Sequence, residues 1–135
     1  MAEESTTPDL VELVRTALET TNLGDLDAVM SFYDPDAVWE VIGLGAVLEG
    51  AAAIRAFLED WMGAYDEFAI DIEEILDLGN GVAFTVIVQR GRPVDSTAHV
   101  RYRLAQLSTW ADGVVVQITG YNDIDEARVA AERLA

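Results

Sequence analysis

The chain has 135 residues, enough for one domain with its own core, and 51% of them are hydrophobic. Eight arginines, no lysine and 25 carboxylates give a formal net charge of −17, which repels phosphate backbones and anionic membranes and excludes nucleic acid and lipid surfaces as partners. With no cysteine and one histidine, disulfides and zinc sets are excluded as well, and the composition fits a cytoplasmic protein without a metal.

The acidic start Met1-Ala2-Glu3-Glu4 is unlike a signal peptide, and residues 1–7 read as a frayed terminus ahead of one domain, 8–135. Thr7-Pro8-Asp9 predicts a helix start, with Thr7 able to cap, Pro8 suited to the first turn and Asp9 favoured at the positive dipole end. Leu10, Leu13, Val14, Ala17 and Leu18 form its buried stripe. Asn22-Leu23-Gly24 ends it. A second, shorter helix starts at Asp25, carries Leu26, Val29, Met30 and Tyr33, and stops before Pro35.

Ala37 to Ile42 reads as a strand with Trp39 and Val41 on one face. Gly43 and Gly45 loosen the chain, and Val47-Leu48-Glu49 predicts a short second strand. Gly50 opens a third helix with an aromatic-rich stripe of Ile54, Phe57, Leu58, Trp61 and Tyr65. Phe68, Ile70 and Ile72 then alternate with polar residues as in a half-buried strand. Glu74 falls on the apolar phase, which leaves two alternatives: a bulge, or a carboxylate pointing inward. Gly79-Asn80-Gly81 and Asp112-Gly113 are hairpin signals, and Gly91-Arg92-Pro93 is a further turn. Between them run Val82 to Arg90, a long segment from Ser96 to Trp110 that needs a bend or bulge, and Val114 to Tyr121. Asp123 caps a last helix. Helices early and strands late make an α+β pattern, with helices on one face of an antiparallel sheet.

The order of these elements, Gly24-Asp25-Leu26-Asp27, the corner Asp34-Pro35-Asp36-Ala37-Val38-Trp39-Glu40 and the run from Glu49 to Phe57 resemble the NTF2-like superfamily, and within it the SnoaL-like group, similar to polyketide cyclases and ketosteroid isomerases. The resemblance implies a cone: a bent, mixed sheet wrapped around a long helix, with a cavity at its wide end and a homodimer through the outer sheet face. It places Trp39, Val41, Phe57, Trp61, Val86, Val88, Leu107, Ile118, Gly120 and Asn122 around that cavity, although Val86, Val88 and Ile118 read equally well as ordinary core. For the dimer face it points to Val100, Tyr102, Leu104 and Trp110.

The acids of the related enzymes are missing. Set against ketosteroid isomerases, the tyrosine donor falls at Ala17, the carboxylate base at Val41 and the second donor at Ala105. Set against limonene-epoxide hydrolases, the final-strand carboxylate falls at Gly120, and Thr85-Val86-Ile87 stands where Arg-x-Asp is needed. His99 is the only histidine, and strand parity puts it with Arg101, Arg103, Ala105 and Leu107 on the face assigned to the cavity. It is either a catalytic base or a structural, exposed histidine. Arg90, Arg101 and Arg103 either pair with Glu74 and Asp71 or hold an anion. The expectation is a pocket for a small, largely apolar or aromatic molecule, with His99, Arg103 and Asn122 as polar handles. It serves either cofactor-free cyclisation, isomerisation or hydration, or a non-catalytic carrier or interaction domain.

Overall fold

The computed structural model describes residues 9–42 and 45–134. The expected frayed terminus, the roles given to Thr7 and Pro8, and Gly43 lie outside the described residues. Four helices and six strands follow in the order α1 (Leu10–Asn22), α2 (Leu26–Met30), β1 (Tyr33–Val41), β2 (Ala46–Glu49), α3 (Ala51–Gly63), β3 (Tyr65–Gly79), β4 (Val82–Pro93), β5 (Val100–Ala111), β6 (Val114–Tyr121) and α4 (Ile124–Leu134). The strands form one mixed sheet in the order β2-β1-β6-β5-β4-β3, antiparallel throughout except for the parallel pair β1–β6.

Local chemistry sets the boundaries. Asp9 caps α1 by accepting from the Val11 amide, and Asp25 caps α2 by accepting from Ala28. Asp123 does the same for α4, where the Glu126 amide donates to its carboxylate at 3.1 Å. At both tight hairpins two successive residues take positive φ, Asn80 (56°) with Gly81 (78°) and Asp112 (53°) with Gly113 (82°), the pairing that matches strand twist. β1 begins at Tyr33, earlier than expected, because Asp34-Pro35 stays extended rather than forming a corner; the irregular register with β6 between Tyr33 and Val38 accommodates it. β4 likewise runs on through Gly91-Arg92-Pro93.

Two packing layers flank the sheet. On its inner face α1 lies over β3, and α3 stands against β1. Val14 packs there with Trp110, Val115 and Ile118, while Val29, Ala37, Ile54 and Leu58 form the neighbouring cluster. Asn22, the last residue of α1, clamps the edge strand β3: its side chain donates to the Ile70 carbonyl at 2.9 Å and accepts from the Ile70 amide at 2.6 Å. The two edge-strand groups are thereby satisfied without a further strand.

The outer face departs from expectation. α4 crosses to it and buries Ala127 and Ala131 against Phe84, Val86, Ala105 and Leu107; the small alanine side chains let the helix sit close. The helices therefore occupy both faces. Nor does one long helix sit inside the sheet, since α1 and α3 are 13 residues each. Glu74 resolves as the bulge. The register with β4 shifts between Ile72 and Glu74, so Glu73 is the extra residue and Glu74 turns outward. There it receives both ends of the Arg128 guanidinium, at 2.7 and 3.2 Å. Arg128 also lies 5.2 Å from the Phe84 ring centroid, tying α4 to the sheet. Asp71–Arg90 (2.6 Å) and Glu73–Arg103 (2.7 Å) continue the ion pairs across that face, so Arg90 and Arg103 are engaged with carboxylates.

Candidate functional site

Between the inner face of the sheet and α1–α3 lies a cavity of about 250 Å³. Trp39, Val41, Phe57, Trp61, Gly120 and Asn122 stand on its wall, joined by Tyr33, Leu58, Ile87, Gln89, Leu104 and Gln106. Strand register explains the set. Ile75, Thr85, Gln106, Gly120 and Val41 face one another in consecutive pairs across β3, β4, β5, β6 and β1, so they form one row on one face. Trp39 is paired with Ile118 in the next row, against Ser108 and Ala83.

Aromatic contacts brace the cavity wall. Trp39 stacks on Tyr33 (centroids 6.5 Å, planes 14° apart) and meets Phe57 edge-on at 5.6 Å. Trp61 meets Phe68 at 5.0 Å and Tyr65 at 5.9 Å. Gly120 lies in the row next to Trp39 on the same sheet face. A methyl group there would stand 3.6 Å from the Trp39 indole nitrogen, so the glycine leaves space beside that N–H.

A smaller chamber of about 50 Å³ lies deeper, lined by Ala17, Thr85, Ser108, Trp110 and Ile118, and it shares Leu18, Thr21, Val29, Tyr33 and Gln106 with the main cavity. Tyr33 thus stands at the partition between the two. Burial raises its phenol above the usual value, so the hydroxyl stays protonated. Burial also raises Tyr121, with the carboxylates of Glu126 and Glu40 adding to the effect. Among the described residues, nothing charged lines either chamber.

Five residues expected at or near this site, Val86, Val88, His99, Arg103 and Leu107, are placed elsewhere. Val88, Arg103 and Leu107 are on the opposite face: Val88 pairs in register with Asp71 and Arg103, Arg103 bonds Glu73, and Leu107 packs under α4. Val86 and Ala105 share that face. His99 lies outside β5, exposed in the segment that leads into it. The physical reason is α4. It buries the outer apolar residues as completely as the cavity layer buries the inner ones, so β4 is apolar on both faces and alternation cannot choose between them. The same inversion moves Leu104 and Trp110, expected on the outer face, to the inner one, where Leu104 lines the cavity and Trp110 is core. Tyr33, Thr85, Gln89 and Gln106 were not singled out from sequence. Thr85 and Gln89 on β4, and Gln106 and Ser108 on β5, each share one parity, and these polar side chains among apolar neighbours are the signal that marks the inner face.

No curated protein matches the chain in sequence. Solved structures of similar fold include an NTF2-like protein of unknown function from Burkholderia pseudomallei (18% identity, 89% of this chain and 95% of that one, TM-score 0.73). TerC, co-crystallised with polyporic acid, is similar over 91% of this chain and 98% of its own (16% identity, TM-score 0.71). An LEH-like epoxide hydrolase from M. tuberculosis is similar over 92% and 90% (18% identity, TM-score 0.72). These likenesses concern the fold. The model of the SnoaL-like domain matches residues 14–118, most of the chain, and with the architecture above it places this protein in the SnoaL-like domain family, within the NTF2-like fold.

Proposed function

We propose that this protein binds a small, uncharged, largely apolar or aromatic molecule in the cavity between Trp39, Phe57 and Trp61. The observation that carries this reading is the wall itself: aromatic and aliphatic side chains with a few neutral amides and hydroxyls, and no charged group among the described residues. A volume of about 250 Å³ falls just under the range of roughly 300–1,000 Å³ for drug-sized ligands, which points to a compact occupant. The co-crystallisation of TerC with polyporic acid supports a small-molecule occupant for this fold.

A second reading, cofactor-free catalysis of cyclisation, isomerisation or hydration, draws on Tyr33. Its phenol, kept protonated by burial, can donate to a ligand oxygen. The described wall offers it no carboxylate or imidazole as a base, and His99 stands outside the cavity, so binding is the better supported of the two. Homodimerisation belongs to this proposal as well. A second copy would meet the part of the outer face that α4 leaves uncovered, where the Asp71–Arg90 and Glu73–Arg103 pairs make the contact salt-sensitive.

The test is a titration with isopentylbenzene followed by tryptophan fluorescence, in wild type and in Gly120→Val. Saturable binding is expected in wild type and its loss in the variant, whose added methyl groups fill the space beside Trp39 while circular dichroism stays native. No saturable binding in wild type would overturn the reading.

A further inference from the structure

The inner chamber, like the cavity it adjoins, is mainly apolar, and its polar groups are all neutral. Its wall brings together Thr85, Ser108, Gln106 and Tyr33, all carrying neutral hydrogen-bonding groups, with Thr21, whose hydroxyl donates to the Ala17 carbonyl at 2.9 Å, in a space lined otherwise by aliphatic and aromatic side chains. Thr85 is 1% exposed, and among the described residues its hydroxyl makes no hydrogen bond. Neither the Gln106 amide nor the Tyr33 hydroxyl has a partner among them. Ser108 accepts from the Trp110 indole at 2.9 Å and keeps its own O–H free to donate. Buried polar groups are nearly always paired, so the fully buried Thr85 hydroxyl, beside the half-buried Gln106 amide and Tyr33 hydroxyl, points to something that completes it. Thr85 and Gln106 are directly opposite in register on β4 and β5, so their side chains project to the same side.

Resting on the binding reading above, we propose that the inner chamber seats an uncharged oxygen at one end of the ligand, a ketone carbonyl or a hydroxyl. Thr85 and Gln106 hold it, while the apolar remainder lies against Trp39 and Phe57. The chemistry of the wall selects that group. A carboxylate would give up its hydration with no cation to meet it, inside a chain of net charge −17. An ammonium would find no carboxylate. A carbonyl accepts from the hydroxyl and amide donors, and an alcohol can both give and take, since threonine and glutamine each do both. The chamber's volume of about 50 Å³ accommodates such a group, but not the ligand's apolar body. Tyr33, on the wall of both spaces, fixes how far from the apolar body the oxygen must lie.

The experiment compares matched probes on the intact protein by tryptophan fluorescence: benzylacetone, its secondary alcohol, and isopentylbenzene as the hydrocarbon, with hydrocinnamate and the phenylpropylammonium ion as charged counterparts. The ketone and alcohol are expected to bind about tenfold more tightly than the hydrocarbon, and the ions more weakly than all three. Thr85→Val and, on the neighbouring strand, Gln106→Met should each shrink the ketone preference by about fivefold and leave hydrocarbon affinity in place. A hydrocarbon bound as tightly as the ketone by wild type, a preference that survives both substitutions, or an ion that binds best would overturn the proposal while leaving the apolar pocket standing. Failure of every probe to bind would overturn the binding reading and this inference together. The wild-type comparison depends on no variant, so a substitution that fails to fold does not remove the test.

Discussion

Removing the Tyr33 hydroxyl should change stability far less than removing an ordinary buried tyrosine hydroxyl. The Tyr33 ring contacts both inner-face clusters and stacks on Trp39, but its oxygen has no partner among the described residues. A buried hydroxyl that is hydrogen-bonded contributes about 0.5–1.5 kcal/mol net, and one left unpaired costs about 1–3 kcal/mol. Water entering the adjoining chamber offsets most of that cost, which leaves little for Tyr33→Phe to lose or relieve. The expected result is a stability within about 0.5 kcal/mol of wild type. Tyr33→Ala should instead lose about 3–5 kcal/mol, because it deletes the ring as well. Equilibrium urea unfolding of the two variants beside wild type measures both, with unchanged m-values as the check that the unfolded states are comparable. A loss beyond about 1.5 kcal/mol for Tyr33→Phe would mean that the hydroxyl holds a partner in the folded protein, and the unpaired assignment would be wrong.

Asn22→Ala should destabilise by about 1–3 kcal/mol in the same assay, since both hydrogen bonds to the Ile70 backbone vanish and leave edge-strand groups to find other partners. Gly81→Ala should cost clearly more than Gly113→Ala. Both glycines have positive φ, worth about 1–2 kcal/mol to a side chain, but at Gly81 the new methyl would stand 2.5 Å from the Trp110 carbonyl oxygen, whereas at Gly113 nothing is near; equal thermal shifts would contradict this. The hydrogen bond from Arg128 holds the Glu74 carboxyl below its ordinary value near 4.5, against a smaller opposing effect of burial. The unfolded chain therefore takes up the proton first, and this contribution is complete above about pH 4.5 and disappears as pH falls through the lower folded value. Glu74→Gln should flatten the acid limb of the stability profile, and an unaltered limb would remove the pair from the account.

Where one residue type has one physical use, the sequence was readable. Asn80-Gly81 and Asp112-Gly113 have the left-handed backbone that only such pairs adopt easily, and Asp25 and Asp123 cap helices as their positions require. The bulge was legible as an alternative because Glu74 broke the phase of β3. The cavity was half legible. Trp39, Val41 and Gly120 lie on strands whose faces differ in character, whereas Phe84 through Val88 are buried on both sides. Within that run only the Thr85 hydroxyl distinguishes one side from the other, and a β-branched threonine suits either. The sequence from Ser96 onward reads as strand and so gives His99 a face, while pairing begins only at Val100. Tyr33 was hidden differently, since its spacing from Val29 and Met30 continued a helical stripe that the extended Asp34-Pro35 cuts short.

The parallel pairing of β1 with β6 has a temporal consequence. On a ribosome, β1–β2 and the β3–β5 meander both emerge before the strand that joins them, because β6 lies between them in the sheet. Until Val114–Tyr121 is made, neither half has a neighbour on its inward edge, and roughly the first five-sixths of the chain must wait as two separate ribbons. Truncation just before Val114 should therefore abolish cooperative unfolding altogether rather than trim one end from an otherwise intact domain.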